Sequence, residues 1–129
     1  MLIKNRNLTI NQKVGNDTAI CIAACTVEFN PLEIGALANP FHPGFRLTCV
    51  LEAADPGPDP VIFTYPRTKT FRGLLEVFQF DQIFEEELSL DLLNEDVSGF
   101  DEIRARFTLV DRSNGQSVTR RSPIVSLSL

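Results

Sequence analysis

An alternation of side chains runs through residues 100–111, which read Phe-Asp-Glu-Ile-Arg-Ala-Arg-Phe-Thr-Leu-Val-Asp. From residue 103 onward every second position is apolar: Ile103, Ala105, Phe107 and Leu109. Successive side chains of a β-strand point to opposite faces of its sheet, so this period predicts a strand with one buried and one exposed face. Asn114-Gly115 follows and predicts a tight hairpin turn into the next strand.

Similar patterns recur along the chain and predict a protein built from antiparallel strands. Residues 45–52 and 83–93 alternate in the same way, whereas residues 19–29 are more uniformly apolar and predict a central strand. Further strand candidates are residues 8–13, 60–65, 71–80 and 118–127. Seven or eight strands with little helix predict an all-β fold, an antiparallel β-sandwich of immunoglobulin-like character. A closed β-barrel and a C2-like or jelly-roll sandwich fit the same pattern.

One short helix is expected beside these strands. Asn30 is suited to cap it, Pro31 to open its first turn and Glu33 to complete a capping box, and the helix is expected to end before Pro40. A chain of 129 residues has the size of one domain. We therefore expect a single β-sandwich domain over residues 1–129, in which residues 1–17 form a loosely attached first strand.

The N-terminal and apolar segments predict a cytoplasmic protein without membrane contact. Residues 1–7 become polar after two apolar residues, so a secretory leader is not expected. The longest apolar run covers residues 20–25, far below the roughly 20 residues that a membrane-spanning helix needs.

The three cysteines are expected to be free thiols in the core. Cys21 and Cys25 lie on one face of a predicted strand, about 13 Å apart. Disulfide-bonded Cα atoms are only about 4.4–6.8 Å apart. Cys49 shares the apolar face of its own predicted strand, so all three are expected to be buried.

Motifs for catalysis and cofactor binding are missing from the sequence. It lacks the glycine patterns of phosphate loops, dinucleotide-binding turns and hydrolase nucleophile elbows. His42 is the single histidine and lies between prolines in a predicted loop, where a solvated side chain is expected. We therefore predict a protein that is not an enzyme, with no catalytic residue, no metal and no cofactor.

Charge is distributed very unevenly along the chain. Residues 76–102 contain ten acidic residues and no lysine or arginine, so this block carries −10 and the remainder +5, within a net charge of −5. This segregation predicts a module that binds a protein partner, or associates with itself, through complementary surfaces. The acidic candidates are Glu85, Glu87 and Asp91 on one predicted strand, and the basic candidates are Arg104, Arg106, Arg120 and Arg121. The overall acidity argues against nucleic acid as the partner.

A second hypothesis is a ligand-binding sandwich that holds a carbohydrate or calcium in its loops. Its candidate residues are Phe41, His42, Asp55, Asp59, Asp96 and Asp101. Residues 94–99 have the oxygen spacing of the first half of an EF-hand loop, but Ala105 stands where the bidentate glutamate is required. A calcium site is therefore expected only between neighbouring loops.

Overall fold

The computed structural model describes residues 1–13, 15–54, 60–94 and 100–128. Nine strands and two short helices are found in these residues. Their order is β1 (Leu2–Gln12), β2 (Thr18–Glu28), α1 (Pro31–Leu37), β3 (Phe45–Ala53), β4 (Val61–Thr64), β5 (Lys69–Phe71), β6 (Gln79–Ser89), α2 (Leu90–Leu93), β7 (Phe100–Asp111), β8 (Ser117–Arg121) and β9 (Val125–Ser128). Neither helix, of seven and four residues, has the length and apolar character that crossing a membrane requires.

The strands form two antiparallel sheets, which confirms the predicted all-β sandwich. The three-stranded sheet has the order β1-β2-β6. In the six-stranded sheet β3 and β7 are central, with β4 and β5 on the free side of β3 and β8 and β9 on the free side of β7. β1 runs beside β8, but within the described ranges no ladder joins the two sheets, so the barrel alternative does not describe this fold. The finer assignment, immunoglobulin-like or C2-like, stays a prediction.

The core between the sheets combines small side chains on β2 with larger ones on the facing sheet. The inward residues of β2 are Ala19, Cys21, Ala23 and Cys25, and the facing strands supply Leu47, Leu51, Phe107 and Leu109, all buried. The three cysteines are free and buried, as predicted. Burial disfavours the thiolate, and it raises the pKa of Cys21 to about 11 and that of Cys25 to about 12.

The predicted helix is confirmed together with its cap. The Asn30 side chain accepts a hydrogen bond from the backbone N–H of Glu33 at 2.8 Å, and the Glu33 carboxylate accepts one from the backbone N–H of Asn30 at 2.9 Å. Helix α1 ends at Leu37, before Pro40. Glu33 also binds the N-terminal amino group at 2.6 Å. This ion pair ties the start of β1 to α1.

The first strand is longer than the predicted residues 8–13. β1 pairs with β2 from Leu2 to Gln12, with a register shift between Lys4 and Asn7. Ile3 and Leu8 are both buried in the core. Apolar burial therefore holds this strand to the sandwich along its length.

The prediction of a strand over residues 83–93 is wrong for the last four of these residues, which form a helix. β6 stops at Ser89, whose hydroxyl accepts a hydrogen bond from the backbone N–H of Leu92 at 3.2 Å and caps α2. Asp91 therefore lies in the first turn of a helix and not on the acidic strand. Serine is a strong N-cap residue because its hydroxyl satisfies one of the free N–H groups of the first turn, and this local preference overrides the alternation.

Two other predicted strands have different limits. Residues 71–80 divide between the end of β5 and the start of β6, with no strand over residues 72–78. Residues 118–127 divide into β8 and β9, because Pro123 has no N–H to donate. At this break the backbone N–H of Ala105 donates to the side-chain hydroxyl of Ser122 at 2.9 Å, and not to a backbone carbonyl. The hairpin at Asn114-Gly115 is confirmed, with Gly115 at φ 77°.

Candidate interaction surfaces

An arginine cluster surrounds a buried carboxylate on the outer face of the six-stranded sheet. Glu52 on β3 pairs in register with Arg104 on β7. Two residues further along β7, Arg106 pairs with Arg121 on β8. Because residues opposite each other in an antiparallel ladder share a face, the four side chains lie together on three neighbouring strands. We call them the Glu52 cluster.

The cluster is held by three charge-assisted hydrogen bonds. Glu52 Oε1 accepts from Arg104 Nε at 2.8 Å and from Arg121 Nε at 2.7 Å, and its Oε2 accepts from Arg106 Nη1 at 3.1 Å. The Glu52 side chain is completely buried, whereas Arg106 and Arg121 are 30% and 43% exposed. A buried carboxylate is stable only when its charge and its lone pairs are compensated. Three guanidinium groups do this and leave the cluster with a net charge of +2.

Glu52 is not among the residues predicted from the sequence, and three of its partners were predicted only as exposed basic residues. The partners are 52, 54 and 69 positions away along the chain. No local period relates residues at such separations. The one available signal is that Glu52 lies on the polar side of an alternating strand, which also describes an ordinary exposed glutamate.

Arg120, the fourth basic candidate, lies outside the Glu52 cluster. It pairs in register with Phe107, on the opposite parity of β8 from Arg121. Its side chain is exposed, and its Nη1 donates to the carbonyl of Thr119 at 2.8 Å. The structure thus brings together three of the four predicted arginines.

Two of the three acidic candidates share the outer face of β6. Glu87 binds Lys13 Nζ at 2.8 Å and accepts a hydrogen bond from the Thr18 hydroxyl at 2.9 Å. The hydrogen bond from Lys13 is the main reason that the pKa of Glu87 lies below its ordinary value. Glu85 is exposed and makes no ion pair with the residues that the structure describes. Asp91 lies beyond the end of the strand, on α2.

A cleft of about 410 Å³ runs along the edge of β6. One wall is formed by β6 itself, with Ile83, Phe84, Glu85 and Glu86, and the other by Tyr65, Pro66, Arg67 and Lys69. The second wall is the connection from β4 into β5, so the cleft lies between the two sheets. The buried Tyr65 hydroxyl joins this wall to β2 by donating to the carbonyl of Cys21 at 2.9 Å. Lys69 Nζ lies 5.4 Å from the centre of the Phe84 ring, close enough for a cation–π interaction.

Two of the six loop residues of the ligand-binding hypothesis, Phe41 and His42, have side chains that the structure describes. Phe41 is 90% exposed, but the expectation of a solvated His42 is wrong. Its ring stacks on Phe45, its Nδ1 accepts from the Gly44 N–H at 2.9 Å, and its Nε2 lies 3.5 Å from Asp111 Oδ1. His42 therefore ties its loop to the end of β7.

The four aspartates of the ligand-binding hypothesis have no described side chain. Asp55, Asp59 and Asp96 lie outside the described residues, as does the side chain of Asp101. Among the side chains that are described, no three His, Cys, Asp or Glu residues cluster as metal ligands would. Scans of the chain against protein-family models and against curated proteins find no match.

Proposed function

We propose that this protein is a non-catalytic interaction module that docks a protein partner, or a second copy of itself, through charged surfaces on its two sheets. The Glu52 cluster is the observation that carries the proposal. Its guanidinium groups are held in place by Glu52 before any partner arrives, so less side-chain entropy is lost when a partner binds. Arg106 and Arg121 each donate one described bond to Glu52 and have further N–H donors for a partner's carboxylates.

The position of the acidic strand supports the same proposal. β6 belongs to the three-stranded sheet and the Glu52 cluster to the six-stranded sheet, so opposite charges occupy different faces of the sandwich. Complementary charged faces accelerate association and select its orientation. When the acidic face of one copy binds the basic face of another, each copy still has one charged face free. Such an assembly grows into a ring or a filament.

Two binding measurements test the proposal. Exposed charges are screened over about 10 Å at 0.1 M salt, so we expect self-association in sedimentation velocity that weakens between about 50 and 300 mM salt. For a different protein partner, the probe is a short glutamate-rich peptide whose binding is followed by fluorescence anisotropy. A protein that stays monomeric at both salt concentrations and does not bind the acidic peptide contradicts the proposal.

Charge variants assign the binding to the two faces. Arg121→Gln is expected to weaken both self-association and peptide binding, since Arg121 is the most exposed arginine of the Glu52 cluster. Arg72→Gln is the matched control, because Arg72 is an exposed arginine outside the cluster. Glu85→Lys is expected to weaken self-association and not the binding of the acidic peptide. Circular dichroism of each variant verifies that the fold is retained.

A further inference from the structure

The cleft beside β6 coincides with an open edge of the three-stranded sheet. β6 pairs with β2 over its whole length, from Gln79 to Ser89. Its other edge pairs with no strand among residues 1–13, 15–54, 60–94 and 100–128. An edge strand presents backbone N–H and C=O groups that are ready to pair with a further strand. Residues 83–86 of this edge form one wall of the cleft.

We infer that the cleft takes an extended basic peptide, which pairs with β6 as the fourth strand of this sheet. The inference rests on the proposed function and names what the acidic strand recognises. Strand addition of this kind takes its affinity from backbone hydrogen bonds and its specificity from alternate side chains.

The charges around the cleft determine which side chains the peptide carries. Every second residue of an added strand lies on the outer face, beside Glu85 and Glu87, and cross-strand neighbours of opposite charge stabilise a sheet. The residues between them turn inward, towards Phe84 and the wall that carries Arg67 and Lys69. Basic residues therefore fit the outward positions and apolar residues the inward ones. On the inward side the cleft holds Arg67 and Lys69 against one carboxylate, Glu86. A slip by one residue therefore brings the basic side chains to a surface of net positive charge, which favours this register.

The same charges disfavour a second copy of β6 as the added strand. Pairing of two β6 edges brings the run Glu85-Glu86-Glu87 of one copy close to that of the other. Like charges directly opposite each other destabilise a sheet. These charges disfavour pairing of β6 with β6, and the occupant that we assign to the cleft is a basic strand of a different protein.

Titration with the peptide Lys-Val-Lys-Val-Lys-Val-Lys tests the inference. We expect binding by fluorescence anisotropy, together with slower amide hydrogen exchange in residues 83–87, because the new strand protects the open edge of β6. Glu85→Lys is expected to weaken binding roughly tenfold, since a favourable cross-strand pair becomes a repulsive one. Glu76→Lys is the matched control, because it makes the same charge change at an exposed residue outside the cleft; it is expected to leave the affinity within about twofold.

A second peptide separates strand addition from simple charge attraction. It has the same residues with every backbone nitrogen methylated, so it keeps its charge and cannot donate to β6. We expect this peptide not to bind, and equal binding of the two peptides overturns the inference. Failure of the unmethylated peptide also overturns it. If self-association or acidic-peptide binding still depends on Arg121, the proposed function stands, and if both sets of measurements fail, neither proposal survives.

Discussion

Replacing Glu52 by glutamine removes the charge at the centre of the arginine cluster while keeping the size of the side chain. The glutamine oxygen still accepts from Arg104 and Arg121, which both bind Oε1 in the native protein. Its amide nitrogen takes the place of Oε2 and faces the donor Nη1 of Arg106, which is 3.1 Å away in the native protein. Two bonds become weaker and the third becomes a contact between two donors.

The expected loss of stability is about 3 kcal/mol. The two retained bonds keep their charged guanidinium donors but lose the charge of the acceptor, which is expected to weaken each by about 1 kcal/mol, or about 2 kcal/mol together. The lost third bond adds about 1–2 kcal/mol. Rehydration of the partly exposed guanidinium groups offsets some of this, which keeps the total at the lower end of the roughly 3–5 kcal/mol typical of a broken buried pair.

Urea denaturation followed by circular dichroism is a suitable assay, because the chain has no tryptophan and one tyrosine. For a chain of this size, about 3 kcal/mol corresponds to a fall of about 12 °C in melting temperature. Glu85→Gln is the matched control: Glu85 is an exposed glutamate on a strand, and its replacement is expected to change stability by less than about 0.5 kcal/mol.

The comparison between the two variants decides whether the reasoning holds. A loss below about 1 kcal/mol for Glu52→Gln, close to that of Glu85→Gln, would refute it, since the carboxylate would then contribute no more than an exposed one. The loss is also expected to persist at high salt, because buried pairs are screened much less than exposed ones. A loss that disappears in salt contradicts the burial of the cluster.

Two further predictions concern the core and its edges. Gly44→Ala is expected to lose at least about 2 kcal/mol of stability in urea titrations, because its φ is 92° and its new Cβ overlaps the carbonyl oxygen of Phe71. Gly73→Ala, at φ 80° with nothing near its Cβ, is the control and is expected to lose about 1 kcal/mol; equal losses contradict the overlap. The Cys25 thiol is expected to resist iodoacetamide in the native protein at about pH 8 and to react in urea, as measured by mass spectrometry. Burial raises the pKa of Cys25 from 9.0 to about 12, because the core disfavours the thiolate. The stability that comes from burying the neutral thiol is therefore complete below pH 9 and is lost as the pH rises towards 12. Labelling of the native protein at the rate seen in urea contradicts its burial.

Local patterns were enough to predict the fold class and several elements of it. Alternation predicts the strands that became β3 and β7 because a sheet with one buried face requires a period of two residues. The cap of α1 is equally local, since Asn30 and Glu33 satisfy each other's backbone N–H groups within one turn. Where two local signals competed, as at Ser89, the alternation alone misplaced the end of the strand.

By itself, the sequence determined which residues face inward, where the chain turns and that acidic and basic residues are segregated. Only the tertiary structure decided that Glu52 lies among arginines from β7 and β8, that His42 packs on Phe45, and that β6 lies at an open edge beside a cleft. The physical reason is that burial and charge pairing act between strands that are distant along the chain. Their partners follow from strand order and register, which the period of any single strand does not contain.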